Sequence, residues 1–266
     1  MEDIFEEIVR IRSEGDSAAL ATVIKTKGST PREEGSKMLI RSDGTILGSI
    51  GGGTLEDQVC QEAMDVIREA RQKLLHFDLT GEEIAEDGML CGGNIDILVE
   101  PILAQPTLYI FGAGHISFSI SKIAKMVEFK VVVIDDRAEF ANKNRFPEAD
   151  EIVAEDFSKV FSKLTINRSS YIVIVTRGHQ FDEEVLEWAV KTEANYVGMI
   201  GSKKKKEDIF SSLQSKGISK EFLEDVHAPI GLDIHAEAPE EIAVSIIAEI
   251  IKVRRERKHT VKTWEV

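Results

Sequence analysis

The chain has 266 residues, 42% of them hydrophobic and 30% charged, and a formal net charge of −14. That is enough for one large or two ordinary globular domains with a sizeable core, and the acidic balance argues against nucleic acid or an anionic membrane as a partner. Two cysteines, Cys60 and Cys91, cannot form a disulfide framework, and no apolar run approaches the roughly 18 residues of a membrane span, so a cytoplasmic protein is expected.

In chain order, residues 2–13 read as an acidic amphipathic helix with no signal-peptide core. A strand follows over 19–26. "KMLIRSDGTILGSI" then reads as a hairpin turning at Asp43-Gly44. "GGGTLEDQVCQEAMDVIREARQ" is a glycine loop feeding a helix. Thr54 and Asp57 are its expected capping box, and Leu55, Val59, Ala63, Val66 and Ala70 its apolar stripe. "KLLHFDL" and "NIDILVEPIL" add strands to what is expected to be a mixed sheet. Pro101 and Pro106 mark a boundary, dividing the chain into domains 1–103 and 104–266. The acidity is concentrated in the first, with 10 Lys and Arg against 21 Asp and Glu.

Past the boundary, short Val- and Ile-rich runs alternate with helices. This is the signature of a parallel sheet covered on both faces, a Rossmann-like doubly wound α/β domain. Its strands are "TLYIFGAG", "KVVVIDD", "EIVAED", "SYIVIVTRG" and "NYVGMIGS". Helices are expected over 115–128, from Asp182 to Lys191, and from Pro239 onward.

Several stretches carry chemistry. "YIFGAGHIS" places Gly112 and Gly114 between a strand and a helix, the dinucleotide fingerprint, with Ser117 at the third glycine position. Asp135 lies 21 residues after Gly114, where an acid can hold a ribose hydroxyl. NAD(P) or another nucleotide is the corresponding ligand. His115 and His179 stand beside the same edge and could serve as proton-transfer groups. Gly51, Gly52 and Gly53 open another helix, where backbone N–H groups suit an anion or simply make a tight turn. Cys91, directly before Gly92 and Gly93, is either a small buried side chain or a thiol approached closely by a ligand or metal. Cys60, inside the helix that Gly51–Gly53 open, reads as a small core side chain. The run Lys203–Lys206 reads as a solvated helix start, or as a complement to an anion in the cleft.

Taken together, "GSTPREEGSKMLI", "GSIGGGTLE", "LCGGNIDILVEP", "LYIFGAGHIS", "VVVIDDR", "TRGHQFD", "YVGMIGSKKK" and "APIGLDIHAEAPEEIAVSIIAEII" resemble the XdhC/CoxI family, nearly end to end. His235 departs from the pattern, where a small residue, usually glycine, is expected. The resemblance implies a maturation chaperone rather than an enzyme. Such a factor binds and protects molybdenum cofactor, a phosphorylated pterin dithiolene. It hands the cofactor, sulfurated with help from a cysteine desulfurase, to a xanthine dehydrogenase-type molybdenum hydroxylase. On this reading Cys91 is the metal-handling thiol, Gly51–Gly53 and Gly92–Gly93 let a planar ligand come close, and the assembled form is a homodimer. The alternative is an NAD(P)-dependent oxidoreductase using the second domain. A third reading is a scaffold whose Rossmann-like domain only binds the partner enzyme.

Overall fold

The computed structural model describes residues 3–79 and 92–259, with side chains as far as Arg255. The chain divides into two compact units, one running to Ala104 and the other from Gln105 onward.

In the first unit, Asp3 caps α1 (Ile4–Glu14), its carboxylate accepting the Phe5 amide at 2.7 Å. Five strands follow: β1 (Ala18–Lys27), β2 (Lys37–Arg41), β3 (Ile46–Gly48), β4 (Lys73–Asp78) and β5 (Asn94–Ile102). They form one sheet in the order β3-β2-β1-β5-β4. Each of the four pairings is antiparallel, so the mixed sheet expected from the sequence is an antiparallel one. The reason is connectivity. The tight turn at Asp43-Gly44, with Gly44 at φ +82°, forces β3 back along β2, and α2 (Gly53–Glu69) then carries the chain across to β4 on the far edge.

The pleat sorts side chains between two faces. Ala19, Ala21 and Val23 of β1 and Ile95, Ile97 and Val99 of β5 pack under Leu55, Val59, Ala63 and Val66 of α2, with Cys60 half-buried beside them. On the other face Ile11 of α1 meets Leu20 and Leu39. Glu7 fixes that helix to the sheet by accepting the Arg41 Nε hydrogen at 2.6 Å. Hydrogen bonds from Arg10 and Arg41 hold its carboxyl down at about 2.

The second unit is a parallel sheet. Its strands are β6 (Thr107–Phe111), β7 (Lys130–Asp135), β8 (Glu151–Ala154), β9 (Ser170–Ile174) and β10 (Tyr196–Met199), in the order β10-β9-β6-β7-β8. The helices are α3 (His115–Met126), the short α4 (Phe157–Val160), α5 (His179–Ala189), α6 (Lys203–Ser215), the short α7 (Lys220–Glu224) and α8 (Pro239–His259). Leu108 and Ile110 of β6 face the layer that holds Ile120 of α3 and Ile246 and Ile250 of α8. Tyr109 and Phe111 face the layer that holds Leu186 of α5 and Leu213 of α6. A sheet covered on both faces explains why these strands are apolar throughout. Because β6 comes first in sequence yet lies in the middle, the strand order reverses beside it, and a crevice opens at the carboxyl ends of β6 and β9.

Two helix starts differ from the sequence reading. Helix α2 is capped at Gly52 and served by the Glu56 carboxylate rather than by a Thr54–Asp57 box. Helix α5 begins at His179 rather than Asp182, because Asp182 is buried in its first turn and reaches back to accept the Thr176 amide at 3.2 Å.

Candidate functional site

In the first unit three loops meet around residues 27–31. Gly28, at φ +82°, lies so near the Gly92–Gly93 segment that an added Cβ would stand 3.0 Å from the Gly92 carbonyl oxygen. Gly93 in turn closes on Lys27 and Ser29, with its hypothetical Cβ 2.7 Å from the Ser29 carbonyl oxygen, and its own carbonyl accepts the Leu79 amide at 2.8 Å. A few residues further on, Pro31 touches the other glycine loop: a Cβ on Gly51 would stand 2.7 Å from Pro31 Cγ. The segment from Lys27 to Pro31 therefore contacts Gly51 and Gly93 alike. Gly92 is exposed, with nothing within 4 Å of where a Cβ would be. Cys91 lies outside the described residues and adjoins Gly92 in the chain.

Sequence reasoning left Gly28 and Pro31 out of the site. The available signal was the "KGSTPREEG" turn between β1 and β2, glycine- and proline-bearing and longer than a hairpin needs.

The Gly51–Gly53 turn presents N–H groups as an anion site would, and a carboxylate of the chain itself receives them. Glu56 Oε1 accepts from the Ser49 hydroxyl at 2.7 Å and from the amides of Ile50, Gly52 and Gly51 at 2.9, 2.9 and 3.2 Å. Burial pushes this carboxyl upward, but the four hydrogen bonds outweigh it and the net shift is downward. What the turn still offers an incoming group is bare backbone, with Gly53 exposed at the start of α2.

In the second unit the crevice is bounded by three chain segments. The β6–α3 turn holds Gly112, at φ +109°, whose missing side chain lets the turn lie against Val175 and Thr176 after β9. Gly114 faces open space and caps α3, whose first residue, His115, is exposed. His179 is exposed at the start of α5 in the same way. Ser117, at the third glycine position, is fully buried in α3.

Asp135, at the end of β7, is only 2% exposed. Its Oδ2 accepts the Ala113 amide at 2.8 Å and Arg137 Nη2 at 2.9 Å. Its Oδ1 accepts the Arg137 amide at 3.0 Å and Arg137 Nε at 2.8 Å. Burial raises this carboxyl, and the hydrogen bonds from Arg137 and Ala113 more than offset the rise. Next to it, Asp136 pairs with Arg177 Nη2 at 2.7 Å.

In the first turn of α5, Asp182 is fully buried, bonded to the Thr176 hydroxyl at 2.7 Å and ion-paired with Lys205. Burial still leaves its carboxyl above the usual aspartate range. The lysine run thus supplies one internal cation, while Lys203 and Lys204 are exposed. His235, the departure from the family pattern, sits at φ +57°, backbone that favours glycine. Among the described residues no group of three or more His, Cys, Asp or Glu is placed to hold a metal, and no helix is long and apolar enough to cross a membrane.

Comparison with known proteins adds a family to this geometry. Residues 108–250 match the family described as XdhC Rossmann domain, and residues 11–78 match the XdhC and CoxI family. A protein of Escherichia coli (strain K12), described as uncharacterized protein YqeB, is 31% identical over 95% of the chain; the chain spans 46% of that relative's length. The molybdenum cofactor insertion chaperone PaoD of the same organism is 22% identical, over 90% of the chain and 84% of its own length. A crystal structure described as a xanthine dehydrogenase from Bacillus halodurans superposes with a TM-score of 0.53 at 25% identity, covering 97% of this chain and 98% of that one.

Proposed function

The chain belongs to the XdhC and CoxI family, and on that premise we propose that it is an accessory factor that binds molybdenum cofactor and delivers it to a xanthine dehydrogenase-type hydroxylase. The observation that carries this reading is the meeting of the Gly51–Gly53, Gly92–Gly93 and 27–31 loops at one place in the first unit, next in sequence to Cys91. Bare backbone at Gly92 and Gly53 fits the flat face of a pterin, which a side chain there would hold off. Exposed Lys27 and Arg32 on the neighbouring loop suit an anionic ligand in a unit that is otherwise acidic. The cofactor itself supplies a soft metal–sulfur centre, for which a cysteine thiol is the matched protein ligand.

Within this proposal Cys91 holds the metal or its terminal sulfur, and the glycine loops set the distance of approach. A carrier must release its cargo, so a single thiol and open backbone serve better than a closed cage. Sulfur delivery by a cysteine desulfurase, a homodimeric assembly and a cytoplasmic location complete the proposal.

The test is metal and pterin content of the protein isolated from a molybdenum-replete host. Cys91→Ser should lose most of the bound molybdenum while remaining folded, whereas Cys60→Ser should retain it. Equal molybdenum in both variants and the unaltered chain would refute the proposed role of the thiol.

A further inference from the structure

The Rossmann architecture of the second unit implies a dinucleotide, and its residues can be tested for the fit. In that mode of binding, the acid after the second strand offers its carboxylate to a ribose, and the ligand crosses the carboxyl end of the first strand. Here the acid is Asp135 and the first strand is β6.

A carboxylate has about four lone-pair positions. All four at Asp135 are filled: the Ala113 amide, the Arg137 amide, and two nitrogens of the Arg137 guanidinium, at 2.8 to 3.0 Å. With 2% of the residue exposed, no face is left for a hydroxyl. The donors come from two neighbouring segments, since Ala113 sits between the fingerprint glycines after β6 and Arg137 follows β7.

The path across β6 is also taken. Asp136 follows β7 and Arg177 follows β9, and these strands flank β6 on its two sides. Their 2.7 Å ion pair therefore spans two strand spacings, roughly 9–10 Å, over the end of the strand where a pyrophosphate would lie. Arg137 is held further by Phe140, whose ring centroid is 3.9 Å from the guanidinium carbon, and Arg177 by Phe181 at 4.6 Å.

We infer that the second unit is closed to NAD(P): Asp135 is an internal strut that fastens the glycine turn to the Arg137 loop, and the Asp136–Arg177 pair bars the ligand path. Gly112 is then required for the turn itself, because it lies against Val175. The inference concerns the second unit alone and stands independently of the cofactor-handling proposal.

Its test uses the full chain. Titration with NAD⁺, NADH, NADP⁺ and NADPH, followed by calorimetry and by nicotinamide fluorescence, should show no saturable binding. Saturable binding of any of the four with a Kd below about 100 μM overturns the inference. Asp135→Asn should lower the melting temperature of the second unit by about 5 °C or more, since it leaves Arg137 without its two-pronged partner. Where that variant does not fold, Arg137→Gln carries the same measurement and should give a fall of the same sign. An unchanged melting temperature in the folded variant overturns the strut.

Discussion

The Glu56 cradle gives the most direct quantitative test of how the first unit is built. Glu56→Ala removes one acceptor from four donors: the Ser49 hydroxyl and the amides of Ile50, Gly51 and Gly52. A hydrogen bond to a charged group contributes about 1.5–3 kcal/mol, but the four share one oxygen and the site is half-open. Water can replace part of the interaction at Gly51 and Gly52, which are partly exposed. Ile50 is fully buried, so its amide is the least replaceable. The net loss is therefore about 2–3 kcal/mol rather than the sum of four bonds. Glu56→Gln keeps an acceptor without the charge and should lose about half as much. The assay is amide hydrogen exchange at Ile50, Gly51 and Gly52 in the full chain, with urea unfolding of the first unit alongside. Exchange should accelerate at those amides by about 30-fold or more, the factor that 2 kcal/mol represents. Acetate, a detached copy of the missing carboxylate, should restore part of the protection. Unchanged exchange in Glu56→Ala would refute the reasoning, and the glycine turn would then be rigid on its own.

Acidification should weaken the first unit. Glu56 and Glu7 both have depressed carboxyl values, so the stability they contribute is present above the ordinary glutamate range and is lost as pH falls through their folded values; urea midpoints that do not fall between pH 5 and about 2 would contradict this. Lys205→Met should destabilise the second unit by about 3 kcal/mol at neutral pH, because Asp182 is left buried and unpaired, with partial recovery on acidification as that carboxyl takes up a proton; a pH-independent loss would rule this out. His235→Gly should stabilise by about 0.5–1 kcal/mol by relieving the φ of +57° at an exposed position, and a lower urea midpoint would show the histidine to be useful there. Gly112→Ala should destabilise by about 2 kcal/mol or more, since the new methyl would lie against Val175 at a left-handed φ; normal stability would mean that the turn can move.

The parallel second unit was legible from the chain because βαβ units are local. Each apolar run of five or six residues, each helix period, and the Gly112-x-Gly114 turn between them is read within a window of about a dozen residues. His235 was visible as a departure from the family pattern, and the structure's φ of +57° supplies the reason a glycine is expected there. The two helix starts misread from sequence, at α2 and α5, share a cause. In both, an acid one turn into the helix folds back onto the loop before it, a choice that depends on burial rather than on residue spacing.

What a local window cannot hold is which groups meet across distance. The antiparallel sheet of the first unit depends on β5 pairing with β1 some 70 residues earlier, and the juxtaposition of Gly28 with Gly93 follows from that pairing, which runs to Lys27 opposite Asn94. Residue types alone marked Gly51–Gly53 and Asp135 as ligand-facing positions. The tertiary structure decided that Glu56 and Arg137 reach them first, because a carboxylate or guanidinium already tethered within a few ångströms forfeits far less entropy on binding than a free ligand does.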